Sequence, residues 1–275
     1  MPKAVTRTWY RVALAAPSGA PQLVLASGEH MGQAIAEAQH ELAGSWAIGV
    51  DHATSDQIPL GESVGKGHVV RLGEATGLPV FKWPPGVLPA LADGVTTGAR
   101  GWLERSHDAL LVMEAQTDAD HVVDLFLGIV ERLPAADNLE VRVLEHFGET
   151  DVTDVWLTSR VNAKKILRFL DDYDDELIAN GHVELSVYVR AHKATLRLTE
   201  HKTVVWLAEE RALEREVEGW LGELKVRRAS ELVTVSNGPH FHYRPAKSRD
   251  RKKLGEELYR QRLRKAAILK TKPAG

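Results

Sequence analysis

Apolar and polar positions alternate in the first part of the chain as they do in half-buried β-strands. Tyr10, Val12 and Leu14 share one face, and a Pro- and Gly-containing turn follows them. Ser27 is the expected N-cap of the next segment, in which apolar residues recur at helical spacing. In order, the pattern predicts strands over 9–14 and 23–25, a helix over 31–42, a strand over 46–50 and a second hairpin over 68–72 and 78–83. Residues 1–95 are therefore expected to form a small α+β domain with hairpins.

Pro and Gly are frequent between residues 84 and 101, which predicts a domain boundary near residues 84–105. Beyond it, the pattern predicts a strand over 109–114, a helix over 118–133, strands over 139–143 and 155–158, a helix over 162–177 and a strand over 183–189. This βαββαβ order is typical of a ferredoxin-like antiparallel sheet covered by helices on one face. Further strands are predicted over 195–198, 204–207 and 232–235, and a helix over 213–224. We expect an α+β domain over 105–243.

Charge is distributed unevenly along the chain. From Arg244 onward there are twelve Lys or Arg and three acidic residues, a formal charge of +9, whereas the preceding 243 residues have 23 basic and 35 acidic residues, a charge of -12. A basic helix with a narrow apolar stripe is predicted over 252–269. Residues 244–275 are therefore interpreted as a partly helical basic tail that contacts a partner, or alternatively as a segment that folds back on the acidic body.

Composition excludes several classes of protein. A chain of 275 residues with 44% hydrophobic and 27% charged residues can bury a sizeable core. The absence of cysteine excludes disulfides, thiolate zinc sites, iron–sulfur clusters and a cysteine nucleophile. No apolar stretch reaches the length of a membrane span, and the N-terminal residues do not resemble a signal peptide, so we expect a cytoplasmic protein.

The motifs typical of enzymes are incomplete. Residues 61–67 are one residue short of a phosphate-binding loop and have Gly67 where Ser or Thr would hold magnesium. Ser106, His107 and Asp108 are adjacent, whereas a catalytic triad is assembled from separate elements. Asp51 and His52 follow a predicted strand without a recognisable nucleophile. No catalytic residue, cofactor or metal ligand is assigned, and a protein without enzymatic activity is expected.

Two histidines could nevertheless act together. His240 and His242 flank Phe241, so in an extended chain both imidazoles lie on one face and could chelate a metal ion. Two ligands are too few for a stable site, and His192 is a guess for the third. Together with Tyr243 and Arg244, the same histidines could instead stack on nucleotides.

The leading hypothesis is a non-catalytic binding protein, an adaptor, inhibitor or immunity-type protein, that uses its acidic body and basic tail to bind a protein partner. The alternative is an RNA-binding or single-stranded nucleic-acid-binding protein that uses the sheet face for stacking and the tail for phosphate contacts. An acidic cluster in the helix 162–177 could also hold a divalent ion, but a regular helix splays such ligands. The candidate partner-binding residues are Asp171, Asp172, Asp174, Asp175, Arg249, Arg251, Lys252, Lys253, Arg260, Arg262, Arg264 and Lys265.

Overall fold

The computed structural model describes residues 7–58, 69–91, 97–145 and 152–270, and it has a mixed α+β architecture with mostly antiparallel sheets. Its strands are β1 (Thr8–Ala15), β2 (Gln22–Gly28), β3 (Trp46–His52), β4 (Val69–Glu74), β5 (Val87–Pro89), β6 (Gly101–Glu104), β7 (Leu110–Gln116), β8 (Asn138–Glu145), β9 (Val152–Leu157), β10 (Val183–Val189), β11 (Ala194–Leu198), β12 (Val204–Glu209), β13 (His240–His242) and β14 (Arg264–Lys270). Its helices are α1 (Met31–Glu41), α2 (Val122–Arg132), α3 (Ala163–Asp172), α4 (Asp174–Leu177), α5 (Glu214–Glu223) and α6 (Arg251–Arg260).

A four-stranded sheet, in the order β3-β1-β2-β4, is built from the N-terminal part of the chain. Its first hairpin is confirmed, and α1 packs on one of its faces against Val12, Leu14 and Val24. The predicted second hairpin is wrong, because β4 pairs with β2 and residues 78–83 form no strand. Ser27 lies in β2, and His30 is the N-cap of α1.

An eight-stranded sheet, in the order β14-β9-β8-β10-β11-β12-β7-β6, forms the larger part of the molecule. Its inward face holds the main hydrophobic core, where Phe126 of α2, Ile166 of α3 and Leu221 of α5 pack against strand residues such as Leu185 and Trp206. Alternation along the strands explains this one-sided burial, because successive side chains point to opposite faces.

The predicted βαββαβ order of elements is present, but a ferredoxin-like fold is not confirmed. In a split βαβ unit, two parallel strands joined by a helix enclose another strand of the same sheet. Strands β9 and β10 are joined by α3 and α4 and enclose β8 in this way. Strands β7 and β8, by contrast, are separated by β10, β11 and β12. The hairpin of β11 and β12 lies between β10 and β7, so the sheet contains two strands that the motif does not have at this place.

Two other elements differ from the sequence prediction. The helix over 162–177 is interrupted at Tyr173, which divides it into α3 and α4, although Asn162 caps its start as the side-chain acceptor for Lys165 N. Residues 232–235 form no strand, and a short 3₁₀ turn begins at Val235. The loop 61–67 lies outside the described residues.

The basic segment belongs to the larger sheet. Its predicted helix ends at Arg260, and residues Arg264–Lys270 form β14, which pairs with β9 at one end of the sheet. Asp250 caps α6 by accepting a hydrogen bond from Lys253 N, and Leu254 and Leu258 bury the helix against the main core. No helix in the described ranges has the length and apolar character required to cross a bilayer.

A short two-stranded sheet of β5 and β13 connects the two larger sheets. Phe241 lies opposite Leu88, and Leu88 is buried in the core of the four-stranded sheet. On the other side, Tyr243 and Gly181 are linked by a backbone hydrogen bond of 3.0 Å, which ties β13 to the segment that leads into β10. The predicted boundary region 84–105 therefore includes β5, which joins both parts of the molecule.

Candidate metal centre

His240 and His242 are the first and last residues of β13, and their imidazoles lie side by side. Pairing with β5 keeps this short segment extended, so residues two apart share one face, as the sequence predicts. The ring centroids of the two histidines are 5.1 Å apart. His242 is buried, whereas His240 is half-buried.

A third histidine, His201, completes the group. It lies in the tight turn between β11 and β12, where Thr199 N donates to Thr203 O and Lys202 N donates to Thr199 O. Its ring centroid is 4.9 Å from that of His240 and 5.1 Å from that of His242. One potential ligand nitrogen of each histidine lies within 4.8 Å of the other two. Nitrogens in a tetrahedral zinc site are about 3.4 Å apart, so small rotations of the rings would suffice to close the site on an ion.

Backbone carbonyls orient two of these rings. Nδ1 of His240 lies 2.8 Å from Gly238 O, and Nδ1 of His242 lies 2.8 Å from Gly181 O. Because a carbonyl oxygen can only accept, Nδ1 of each neutral ring donates its hydrogen, and Nε2 keeps its lone pair. Metal-ligating histidines use the same arrangement, in which a backbone acceptor fixes the tautomer and the ring orientation.

The carbonyl that holds His242 is itself fixed by close backbone packing. Gly181 N donates to Tyr243 O, and Tyr243 N donates to Gly86 O. A Cβ atom at Gly181 would lie 1.9 Å from Gly86 O, so only glycine permits this approach. Gly86 has a φ of +93°, a conformation that a residue with a side chain rarely adopts.

A buried lysine connects the turn of His201 to the same segment. Lys202 is 1% exposed, and its Nζ donates to Asn180 O at 2.6 Å and to Val183 O at 3.0 Å. Burial lowers the pKa of Lys202 to about 7. The two carbonyls flank Gly181, so one side chain ties the ligand turn to the residue that orients His242.

A carboxylate lies beside the three imidazoles. Glu200 Oε1 is 4.0 Å from Nε2 of His201, and both side chains are largely shielded from solvent. A carboxylate at this distance can orient the imidazole of His201 as an outer-shell acceptor when a metal is bound.

His242 also lines a cavity of about 320 Å³. Burial and the positive charge of Arg244 lower the pKa of His30, one of its lining residues, to about 4, so this ring is neutral at pH 7. Tyr10 and Phe241 contact the ring of His52. The lining residues are Tyr10, Glu29, His30, Met31, Gly32, His52, His182, His242, Tyr243 and Arg244. A small molecule in this cavity would contact a ring of the candidate metal centre.

Other candidates from the sequence lie elsewhere. His192 is in the 3₁₀ turn after β10 and is not part of the three-histidine group. Asp51 forms an ion pair with Arg11 at 2.9 Å and accepts a hydrogen bond from Leu91 N at 3.0 Å. Both of its carboxylate oxygens therefore have structural partners. His201 was missed by the sequence analysis, because about forty residues separate it from β13 and it stands in no recognisable spacing.

The acidic candidates Asp171, Asp172, Asp174 and Asp175 lie around the break between α3 and α4. Asp171, Asp172 and Asp175 are exposed, and Asp174 Oδ1 accepts a hydrogen bond from Asp175 N at 2.6 Å. The break divides this segment into two helices, whereas the sequence predicted one continuous helix. A partner-binding role for these residues stays a prediction.

Several basic candidates pair with carboxylates of the chain itself. Arg251 and Lys265 both contact Asp154, at 2.9 and 2.7 Å. Arg249 contacts Glu176 at 2.7 Å, Arg260 contacts Glu257 at 3.3 Å and Lys253 contacts Asp250 at 3.5 Å. Lys252, Arg262 and Arg264 are exposed. Arg249, Arg251 and Lys265 therefore contact carboxylates of the acidic body, as in the alternative in which the segment folds back on that body.

The chemistry of the three-histidine group follows from its donor set. Three imidazole nitrogens suit Zn²⁺, Cu²⁺, Ni²⁺ or Fe²⁺ better than Mg²⁺ or Ca²⁺, which prefer oxygen ligands. Three protein ligands also leave a coordination position for water or a small molecule. Comparisons with protein-family models, with curated proteins and with solved structures found no match for this chain.

Proposed function

We propose that the protein binds a divalent transition-metal ion, with Zn²⁺ as the best fit, through His201, His240 and His242. The observation that carries this function is the convergence of three potential ligand nitrogens within 4.8 Å. Two independent carbonyl contacts support it, because they orient the rings of His240 and His242 through Nδ1, as backbone acceptors do for metal-ligating histidines.

Metal binding at this place has a structural consequence. The ion would join the turn between β11 and β12 to β13, which pairs with β5 and reaches the four-stranded sheet. Because an ion that binds the folded chain stabilises it by mass action, saturation should raise the thermal unfolding temperature. At a hundredfold excess over Kd the gain is about 2.7 kcal/mol.

The test is a cobalt titration of the full chain after removal of any histidine tag and of bound metal. Tetrahedral Co²⁺ gives visible absorption bands, and competition with Zn²⁺ then yields the zinc affinity. We expect one ion per chain at pH 7.5, and at least a tenfold weaker affinity in His201→Ala, His240→Ala and His242→Ala. His192→Ala serves as the matched control, because its histidine lies outside the group, and it should bind like the wild type.

Two results would contradict this function. One is a wild-type chain that binds no Co²⁺ at micromolar concentrations. The other is a loss of affinity in His192→Ala as large as that in His201→Ala, which would show nonspecific binding by surface histidines. Affinity should also fall below pH 6.5, because protonated imidazoles cannot bind metal.

Contact with a macromolecular partner is a second function, and the groove beside α6 favours it. This open groove of about 940 Å³ is lined by Arg251, Lys252, Arg260 and Lys265. Engagement of a protein partner by the acidic body remains the prediction made from charge alone.

A further inference from the structure

The groove lies between α6 and the end of the eight-stranded sheet formed by β9 and β14. Asp154 and Trp156 of β9 form one side, and α6 contributes the other. Gly255 lets the helix approach closely, because a Cβ atom there would lie 3.1 Å from Cζ2 of Trp156. β14 is exposed along almost all of its length, and it has one strand neighbour among the described residues.

Positive charge predominates around this groove. Its lining includes four cations, Arg251, Lys252, Arg260 and Lys265, and three carboxylates, Asp154, Asp250 and Glu256. The surrounding segment 249–270 includes nine Lys or Arg and three acidic residues in total. Asp154 fixes Arg251 and Lys265 inside the groove through ion pairs, whereas Lys252 stands exposed on the first turn of α6. Although burial alone would raise it, hydrogen bonds from these two cations hold the pKa of Asp154 below its usual range. The groove therefore presents cations held by ion pairs together with an exposed one.

Aromatic rings accompany these cations. Tyr259 is 73% exposed, the most exposed large side chain of apolar character among the described residues. Trp156 is buried at the base of the groove, and Nζ of Lys265 lies 5.7 Å from the centroid of its ring. An exposed aromatic ring beside cations is the combination on which proteins stack the bases of single-stranded nucleic acid.

We propose that the groove between α6 and β14 binds single-stranded nucleic acid, with Lys252 and neighbouring cations on the phosphates and Tyr259 stacked on a base. This function is independent of the metal centre. It also relocates the contact expected from the sequence, which placed stacking on the sheet face. On that face Tyr188 donates to Glu140, and Glu184 pairs with Arg197, so the polar groups are already engaged. An acidic peptide would match the cations but would not use the ring of Tyr259.

The test measures fluorescence anisotropy of a labelled 20-nucleotide oligo-uridine with the full chain at 50 mM salt. We expect binding that weakens as salt rises, with a log–log slope of about -2 to -3 for three to four phosphate contacts. Tyr259→Ala should weaken binding about tenfold, whereas Tyr259→Phe, which keeps a stacking ring, should stay within about twofold of the wild type.

Charge has an equally matched control. Lys252 and Lys164 are both exposed and both occupy the second position of a helix whose N-cap side chain accepts from the third residue. Lys252→Glu should weaken oligo-uridine binding at least fivefold, whereas Lys164→Glu should change it less than twofold. Unchanged thermal unfolding of each variant shows that the fold is intact.

Three outcomes would overturn the nucleic-acid function of the groove. The first is no anisotropy change at 50 mM salt. The second is equal loss of binding in Lys252→Glu and Lys164→Glu, which would show a diffuse charge effect. The third is equal competition by a polyglutamate peptide together with wild-type affinity in Tyr259→Ala, which would identify an acidic protein as the ligand.

Discussion

The histidine centre and the basic groove use titratable side chains in opposite ways. The centre is partly buried, and two of its three rings are oriented by the backbone carbonyls of Gly181 and Gly238. The groove is open, and its cations are held by side-chain carboxylates or extend into solvent. Imidazoles held by backbone carbonyls are suited to a small ion with strict geometry. Exposed cations and the exposed ring of Tyr259 are suited to a long polyanion.

The difference also concerns the cost of assembling each site. The three histidines come from two segments about forty residues apart, and buried Lys202 and the Gly86–Gly181 contact hold those segments together. Most residues of the groove come from one stretch of chain, residues 250–265, placed against β9. Changes in the centre should therefore alter the stability of the fold strongly, whereas changes in the groove should alter mainly binding.

The largest effect that would sharpen this contrast is expected from Gly181→Ala. The new Cβ atom would lie 1.9 Å from Gly86 O, so the segment must move, and we expect a loss of about 3 kcal/mol in the free energy of unfolding. Cobalt affinity should fall at least tenfold because Gly181 O no longer orients His242, while oligo-uridine affinity should not change. Gly222→Ala is the control, since nothing lies within 4 Å of its Cβ and α5 should gain slightly. Equal stability of the two variants would contradict the tight packing of this segment.

A smaller effect is expected in the pH dependence of the free energy of unfolding, compared between the wild type and His30→Phe. Because burial and Arg244 lower the pKa of His30 to about 4, the unfolded chain binds a proton near pH 6.5 that the folded chain does not bind until about pH 4. The wild type should thus lose about 2 kcal/mol of stability as pH falls from 6.5 to 4, and this part of the loss should be absent in the variant. Urea unfolding of metal-free protein across this range measures it. Parallel stability curves for the two proteins would show that His30 is not the group responsible.

The smallest effect on stability is expected from Asp154→Asn in the groove. Its partners Arg251 and Lys265 are partly exposed, so solvent screens the lost charge and the cost should be about 1 kcal/mol. Oligo-uridine affinity should rise severalfold, because a negative charge leaves the groove. Cobalt affinity should be unchanged. A loss of oligo-uridine binding would mean that fixed positions of Arg251 and Lys265 matter more than net charge.

Local patterns were sufficient for many elements and failed where the chain had to choose a partner. The hairpin of β1 and β2, the cap at Asn162 and the strand β10 follow from alternation and capping alone. The second predicted hairpin failed because β4 pairs with β2 rather than with the residues that follow it. Likewise, the helix predicted over 252–269 is too long. Residues 264–270 form β14 instead, since pairing with β9 outweighs their helical preference.

The sequence by itself determined the residue types available for chemistry: no thiolates, a His-Phe-His segment whose rings share a face, and a basic C-terminal stretch. The tertiary structure decided which of these residues meet. It brought His201 to β13, placed Asp154 between Arg251 and Lys265, and left Tyr259 exposed. The physical reason is that alternation and capping act over a few residues, whereas strand pairing and burial act between segments whose separation in the sequence carries no signal.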